Sequence, residues 1–324
     1  MGYCYRRPQW QKRFLRHIPY ILVGIIFIVL IPLAPTYIKY LAARMLIYAL
    51  FALSLNLLFG YTGLFPLGHA AYLGLGGYSA GILVTVLGIR SFWVVAPVSI
   101  LITAFVAAIF GIIALQTKGL LFAFITMALG QLLVNIAIKW RTVTGGSNGL
   151  IGIPLPDLGI PGVTLNQTSF YFLVLIVFIV CFLLMYRLIH SPFGLALQGI
   201  RDDEGRLSHL GYNTWLYKII AFVIAGAFAG TAGVLFGHCN GIIDPSSLGV
   251  TTSVIAVLTV IIGGMRIVYG PIIGSAVITT LENLSSIYTP ERWPLILGGI
   301  FVITVMYLRG GITTHLIRLW KRIS

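Results

Sequence analysis

Residues 168–215 read TSFYFLVLIVFIVCFLLMYRLI and then, without a break, HSPFGLALQGIRDDEGRLSHLGYNTW. The first part is apolar until Arg187 and is long enough to cross a bilayer, which takes about 20 apolar residues. The second, 190–215, carries Arg201, Asp202, Asp203, Glu204, Arg206 and His209. A chain that is 59% hydrophobic and 9% charged, with mean hydropathy +1.01, cannot keep such surface in water, because extended apolar patches drive association. The reading is an all-α integral membrane protein. In such a body the charged loop is retained for something outside the bilayer, most simply a partner.

Working outward, ten candidate spans recur: 18–34, 45–60, 67–88, 92–115, 119–138, 168–189, 216–237, 251–264, 267–287 and 294–309. Several are too short to cross unaided and read as half-helices buried in protein, so eight to ten crossings are expected. The whole chain, 1–324, reads as one transmembrane domain. It has a basic N-terminus (1–17), an external loop (139–167), a cytoplasmic loop (190–215) and a basic tail (310–324). Arg6, Arg7, Lys12, Arg13 and Arg16 precede an apolar run that resembles a signal peptide but lacks a small-residue cleavage site, so it reads as a retained first span. Of the 21 Lys and Arg, this threading leaves Lys39, Arg44, Arg90, Lys139, Arg141 and Arg292 outside and the rest inside. That asymmetry places both termini and the loop 190–215 in the cytoplasm. The net charge of +14 therefore serves topology, and nucleic acid is not an expected partner.

Chemistry is sparse. Cys4, Cys181 and Cys239 are too few and scattered for a disulfide framework or a metal site. No phosphate-cradling GxxxxGK[ST] occurs, nor HExxH or GxSxG, so no cofactor or catalytic residue is expected. Intramembrane acids are limited to Glu282, with Asp244 in an outer turn, which argues against a proton-driven carrier.

The polar segments carry more signal. GYTGLFPLGHAAYLGLGGYSAG, 60–81, puts glycines and Pro66 at membrane depth. Pro66 can break the helix there, and polar backbone at depth is tolerated only against protein or a watery path. Gly63, Pro66, His69, Gly74 and Gly77 are thus candidates for a substrate path, against the plainer reading of tight packing with a hydrogen-bonded His69. Gly226, Gly230, Gly233, Gly237 and Gly241 form a second ladder for close helix approach, and Gly270 with Gly274 a third. In the charged loop Ser191 and Pro192 predict a helix start, with Phe193, Leu197 and Ile200 sharing one face. A membrane-lying amphipathic helix is the plain expectation; the functional one is a knob that docks into another protein and transmits its motion.

Four blocks in order, GYTGLFPLGHAAYLGLGGYSA, TGGSNGLIGIP, SPFGLALQGIRDDEGRLSHLGYN and IIGGMRIVYGPIIGS, resemble the permease subunits of bacterial ABC importers for branched-chain amino acids and their urea and amide relatives. The resemblance covers about 45–310. It implies that the third block is the cytoplasmic coupling element related to the EAA loop, with Phe193, Ile200, Arg201, Asp203 and Glu204 docking on an ATPase. It implies an external loop around Thr144, Gly145, Gly146 and Asn148. It also implies the partners: a second homologous permease, two cytoplasmic ATPases holding ATP and Mg, an external solute-binding protein and the lipid of a bacterial inner membrane. The chain departs from the pattern at Arg206, Arg266 and Pro66. The rival readings are a stand-alone carrier or channel and, more remotely, an intramembrane enzyme built on His69, His238, Asp244 and Glu282.

Overall fold

The computed structural model describes residues 31, 34–159, 166–288, 295, 298, 299, 302, 306 and 311–314. The basic N-terminus lies outside the described residues, as do most of the spans 18–34 and 294–309 and of the tail 310–324. Helix is the only economical backbone for a chain in hydrocarbon, since it satisfies its own N–H and C=O groups. Nine helices carry the described residues: α1 Thr36–Asn56, α2 Ala70–Thr85, α3 Phe92–Ala114, α4 Leu120–Lys139, α5 Gln167–Ile189, α6 Pro192–His209, α7 Thr214–Asn240, α8 Val250–Gly263 and α9 Gly270–Tyr288, besides single turns. Among the described residues α1, α3, α4, α5 and α7 are long and apolar enough to cross a membrane, and α1 is prolonged by a wider turn, Leu57–Thr62.

The span expected at 45–60 begins nine residues earlier, directly after Pro35. Lys39 and Arg44 therefore belong to α1, which corrects their placement in an outer loop. Arg44 is tolerated inside the span because Glu282 of α9 accepts its hydrogen bond at 2.7 Å.

Two ends of the bundle are distinguished by contact. At the α6 end, the Asn56 amide donates to the Ile267 carbonyl (3.1 Å) and the Tyr61 hydroxyl to that of Arg266 (2.8 Å). At the opposite end, Leu150–Ile151 pair antiparallel with Ile242–Ile243, and Phe92 N–H donates to Asp157 O at 2.8 Å. Successive connections alternate between these ends, as the threading requires.

The helices α2, of 16 residues, and α8, of 14, rise about 24 and 21 Å, short of the roughly 30 Å hydrocarbon core. Each is entered through the same local grammar. A long helix (α1 or α7) ends at a glycine with positive φ (Gly63 at 78°, Gly241 at 67°), a proline follows (Pro66, Pro245), then Leu-Gly (67–68, 248–249), then the half-helix. One copy enters from the α6 end and the other from the opposite end, the signature of an inverted repeat. The two half-helices meet at their starts, where Ala70 N–H donates to Ser253 Oγ at 2.9 Å.

Helix α7 sits at the centre, packed on α1, α2 and α3. Its glycine ladder allows this: a Cβ on Gly233 would lie 1.9 Å from Leu73 O, and one on Gly226 2.3 Å from the Ala107 Cβ. Lipid offers no hydrophobic drive between helices, so close backbone approach supplies the dispersion contacts that hold them. The third ladder serves α8 and α9, with Gly274 against Thr259 O.

Candidate functional site

The charged loop folds as the local sequence dictates at its start. Ser191 caps α6 by accepting from Gly194 N–H, Pro192 occupies the first helical position, and Leu197 and Ile200 are buried. Phe193 is half-buried, stacked on Tyr217 of α7 with ring centroids 5.4 Å apart. At Asp203 the backbone leaves the helix (φ −161°, ψ 97°), and its carboxylate accepts from Arg206 N–H at 3.0 Å to start the final turn.

The charges then divide between two tasks. Arg201 turns into the bundle, where its guanidinium donates to the Gly60 carbonyl and its stem covers Gly63. Burial, and then the charge of Arg266, lower its pKa from the usual guanidinium value, with Asp202 opposing. Asp202 accepts from Arg266 at 2.7 Å, and Arg266 itself holds a positive φ of 65° in the turn between α8 and α9. Glu204 is tied back to α7 by Lys218 at 2.5 Å and by Thr214 at 3.2 Å. Burial pushes its carboxyl up, but Lys218, with help from Thr214 and Lys118, outweighs that and holds it below the ordinary value. Leu195 and Asp202 before the kink, and Asp203, Arg206 and His209 at and after it, are exposed.

Among the five residues expected to dock, then, Asp203 is exposed, while Ile200, Arg201, Glu204 and Phe193 hold α6 onto the membrane body. Sequence reasoning missed Arg266 and Lys218 as partners and Leu195 as an exposed apolar tip.

The five path candidates meet different neighbours. Gly63 is under Arg201; Pro66 is buried; Gly74 lies against Leu248 and Gly77 against Ile243 and Gly233. His69 is fully buried, its Nε2 2.9 Å from Ser54 Oγ and its ring stacked on Phe51. In the external loop, the buried Thr144 hydroxyl donates to Ala137 O at 2.5 Å, Gly145 and Gly146 take positive φ, and Asn148 closes the turn leading to the paired strand Leu150–Ile151. Residues 160–165 of that loop lie outside the described residues. The four members of the enzyme constellation are apart. His69 meets Ser54, His238 meets Pro154 O at 2.8 Å, Asp244 caps Ser246 and Ser247, and Glu282 meets Arg44.

What the geometry offers is a membrane body gripped at one end by a charged lever, with no acid–base pair among those four residues. The family model for the permease component of branched-chain amino acid transport systems matches residues 37–307. The chain belongs to that family. This permease is 27% identical to the LivM high-affinity branched-chain amino acid permease protein of Salmonella typhimurium, over 84% of this chain and 69% of the relative. It is 26% identical to LivH of the same organism, over 80% and 88%. With BraD of Pseudomonas aeruginosa it shares 23%, over 82% and 91%. No solved structure matches the chain. It is a transport subunit, not an enzyme.

Proposed function

We propose that this permease is the membrane half-site of an ATP-driven importer for leucine, isoleucine or valine in a bacterial inner membrane, with both termini and α6 cytoplasmic. It pairs with a second permease of the same family; two different relatives, LivM and LivH, in one organism support that pairing. Two cytoplasmic ATPases, which bind the ATP and Mg, drive the pair, and an external binding protein delivers the solute.

The observation that carries the reading is the double attachment of α6. Arg201 holds the end of α1 that leads into one half-helix, and Asp202 holds the turn that leaves the other. An ATPase pulling on the exposed Leu195, Asp203, Arg206 and His209 would move both halves of the inverted repeat at once, and a shift between two packings is how such bodies alternate access. Gly63, Pro66, His69, Gly74 and Gly77 are proposed to line the path on its bundle side, with the Thr144–Asn148 turn at its outer mouth.

Reconstitution tests this. Proteoliposomes holding both permeases and the ATPases, given binding protein outside and ATP inside, are expected to accumulate leucine. Vesicles with this chain alone are expected to show no flux. Uphill uptake by the chain alone would establish the stand-alone carrier instead.

A further inference from the structure

Helix α4 turns an unusual face outward. Gln131, Asn135 and Lys139 follow one another at intervals of four residues, so they stack in one row, and all three are exposed. With Ala128, Leu132, Ile136 and Trp140, all on or directly after this one helix, they border an open surface hollow of about 800 Å³. Neither amide side chain has a hydrogen-bond partner among the described residues. Gln131 stands about 12 Å along the helix from Lys139, close to the middle of the span. An unpaired amide at that depth costs several kcal/mol in hydrocarbon, so this face does not meet lipid. Helix α3 gives the contrast: its outward residues Leu101, Phe105, Ile109 and Ile112 are all apolar.

The row also has direction. Toward the α6 end the same face continues as Leu121 and Phe124, without polar groups. Leu132 and Ile136 run beside the amides throughout. A cation at one end, amides beyond it and an apolar flank suit a small solute bearing a carboxylate and an aliphatic tail.

The geometry points to this groove as a wall of the translocation path, completed by the second permease, with Lys139 receiving the solute carboxylate and Asn135 and Gln131 accompanying it inward. The assignment rests on the transport reading above and names the surface that does the carrying.

The test uses the complete importer in proteoliposomes. Single cysteines replace Gln131, Asn135 or, as a lipid-facing control, Phe105, in a background with the native cysteines changed to serine. A charged, membrane-impermeant thiosulfonate is applied from the binding-protein side. Asn135→Cys is expected to react at least about tenfold faster than Phe105→Cys, with leucine uptake blocked on reaction. Lys139→Gln is expected to lower uptake at sub-saturating leucine by about tenfold, the worth of one charge-assisted contact, and Lys139→Arg to restore most of it. Uptake that persists while Asn135→Cys reacts no faster than Phe105→Cys overturns the groove and leaves the transport reading standing. Fast labelling with uptake unchanged makes the row a wet subunit interface and overturns the path assignment. No ATP-dependent uptake by the unmodified complex overturns the transport reading itself.

Discussion

Arg201→Ala separates a docking residue from a lever residue. In the structure Arg201 spends its guanidinium on the Gly60 carbonyl and its stem on Gly63, while its backbone neighbours Asp202 and Asp203 face outward. A hydrogen bond from a charged group is worth about 1.5–3 kcal/mol net when buried. Arg201 is only partly buried, so about 1 kcal/mol is the fair figure, a factor of about five in how often α6 and α1 move as one. The Asp202–Arg266 pair remains in this variant but is 50–70% exposed and adds less than about 1 kcal/mol. Leucine uptake per ATP hydrolysed is therefore expected to fall about fivefold, with ATPase turnover within twofold of the parent. The assay is paired measurement of phosphate release and uptake in one proteoliposome preparation. Loss of both rates in parallel would mean that Arg201 binds the ATPase, and an unchanged ratio would mean that the Gly60 contact transmits nothing; either result refutes the lever.

Three further outcomes follow from contacts elsewhere. Gly233→Ala, whose Cβ would need to retreat from 1.9 Å to the 3.0 Å that real contacts keep, is expected to destabilise the α2–α7 packing by about 1–3 kcal/mol, read as a lower melting temperature in detergent. Gly237→Ala, whose nearest atoms are at 3.6 Å, should leave melting unchanged. Arg44→Leu removes the cation 2.7 Å from Glu282 and is expected to cost about 1–3 kcal/mol, whereas the double change Arg44→Leu with Glu282→Leu should recover most of it in the same melt. Because the folded-state pKa of Glu204 is lowered, its contribution to holding α6 is full above the ordinary 4.5 and fades as pH falls below that through the lowered value. Removal of Lys218 by Lys218→Met should erase that acid-side loss of α6 protection in hydrogen exchange.

Much of this was readable along the chain, and the boundary is physical. Local chemistry fixed the start of α6, since a serine cap and a proline at the first position act within one turn. Apolar length located most spans within a few residues. It failed at α1, because Lys39 and Arg44 look like loop charges until Glu282, 238 residues away, is brought alongside. The same limit applies to Arg201: spacing shows that Ile200 faces inward, but nothing nearby in sequence announces a carbonyl 141 residues earlier. The glycine ladders declared close approach without naming the helices. The polar row of α4 was visible as single residues in an apolar run, and its meaning depends on which face the bundle leaves uncovered.

The α6 lever and the polar row of α4 are joined through one contiguous stack. Gly60 leads through Gly63 and Pro66 to Leu67, whose N–H donates to Thr126 Oγ1 of α4 at 3.2 Å, and to Ala70, whose N–H is held by Ser253 of α8. A displacement of the end of α1 therefore has a hydrogen-bonded route, through the turn 63–69, to α4 and both half-helix starts. Contiguity alone is not coupling, which requires a shared two-state element. A double-mutant cycle supplies that measurement. Ser253→Ala leaves the Ala70 N–H unpaired in a buried place, a cost of about 1–3 kcal/mol that loosens the junction. If the lever works through this junction, the loss of uptake per ATP in Arg201→Ala with Ser253→Ala is smaller than the product of the single losses, because one broken link makes the second redundant. Multiplicative losses would place the route of force elsewhere than through the meeting of the half-helices.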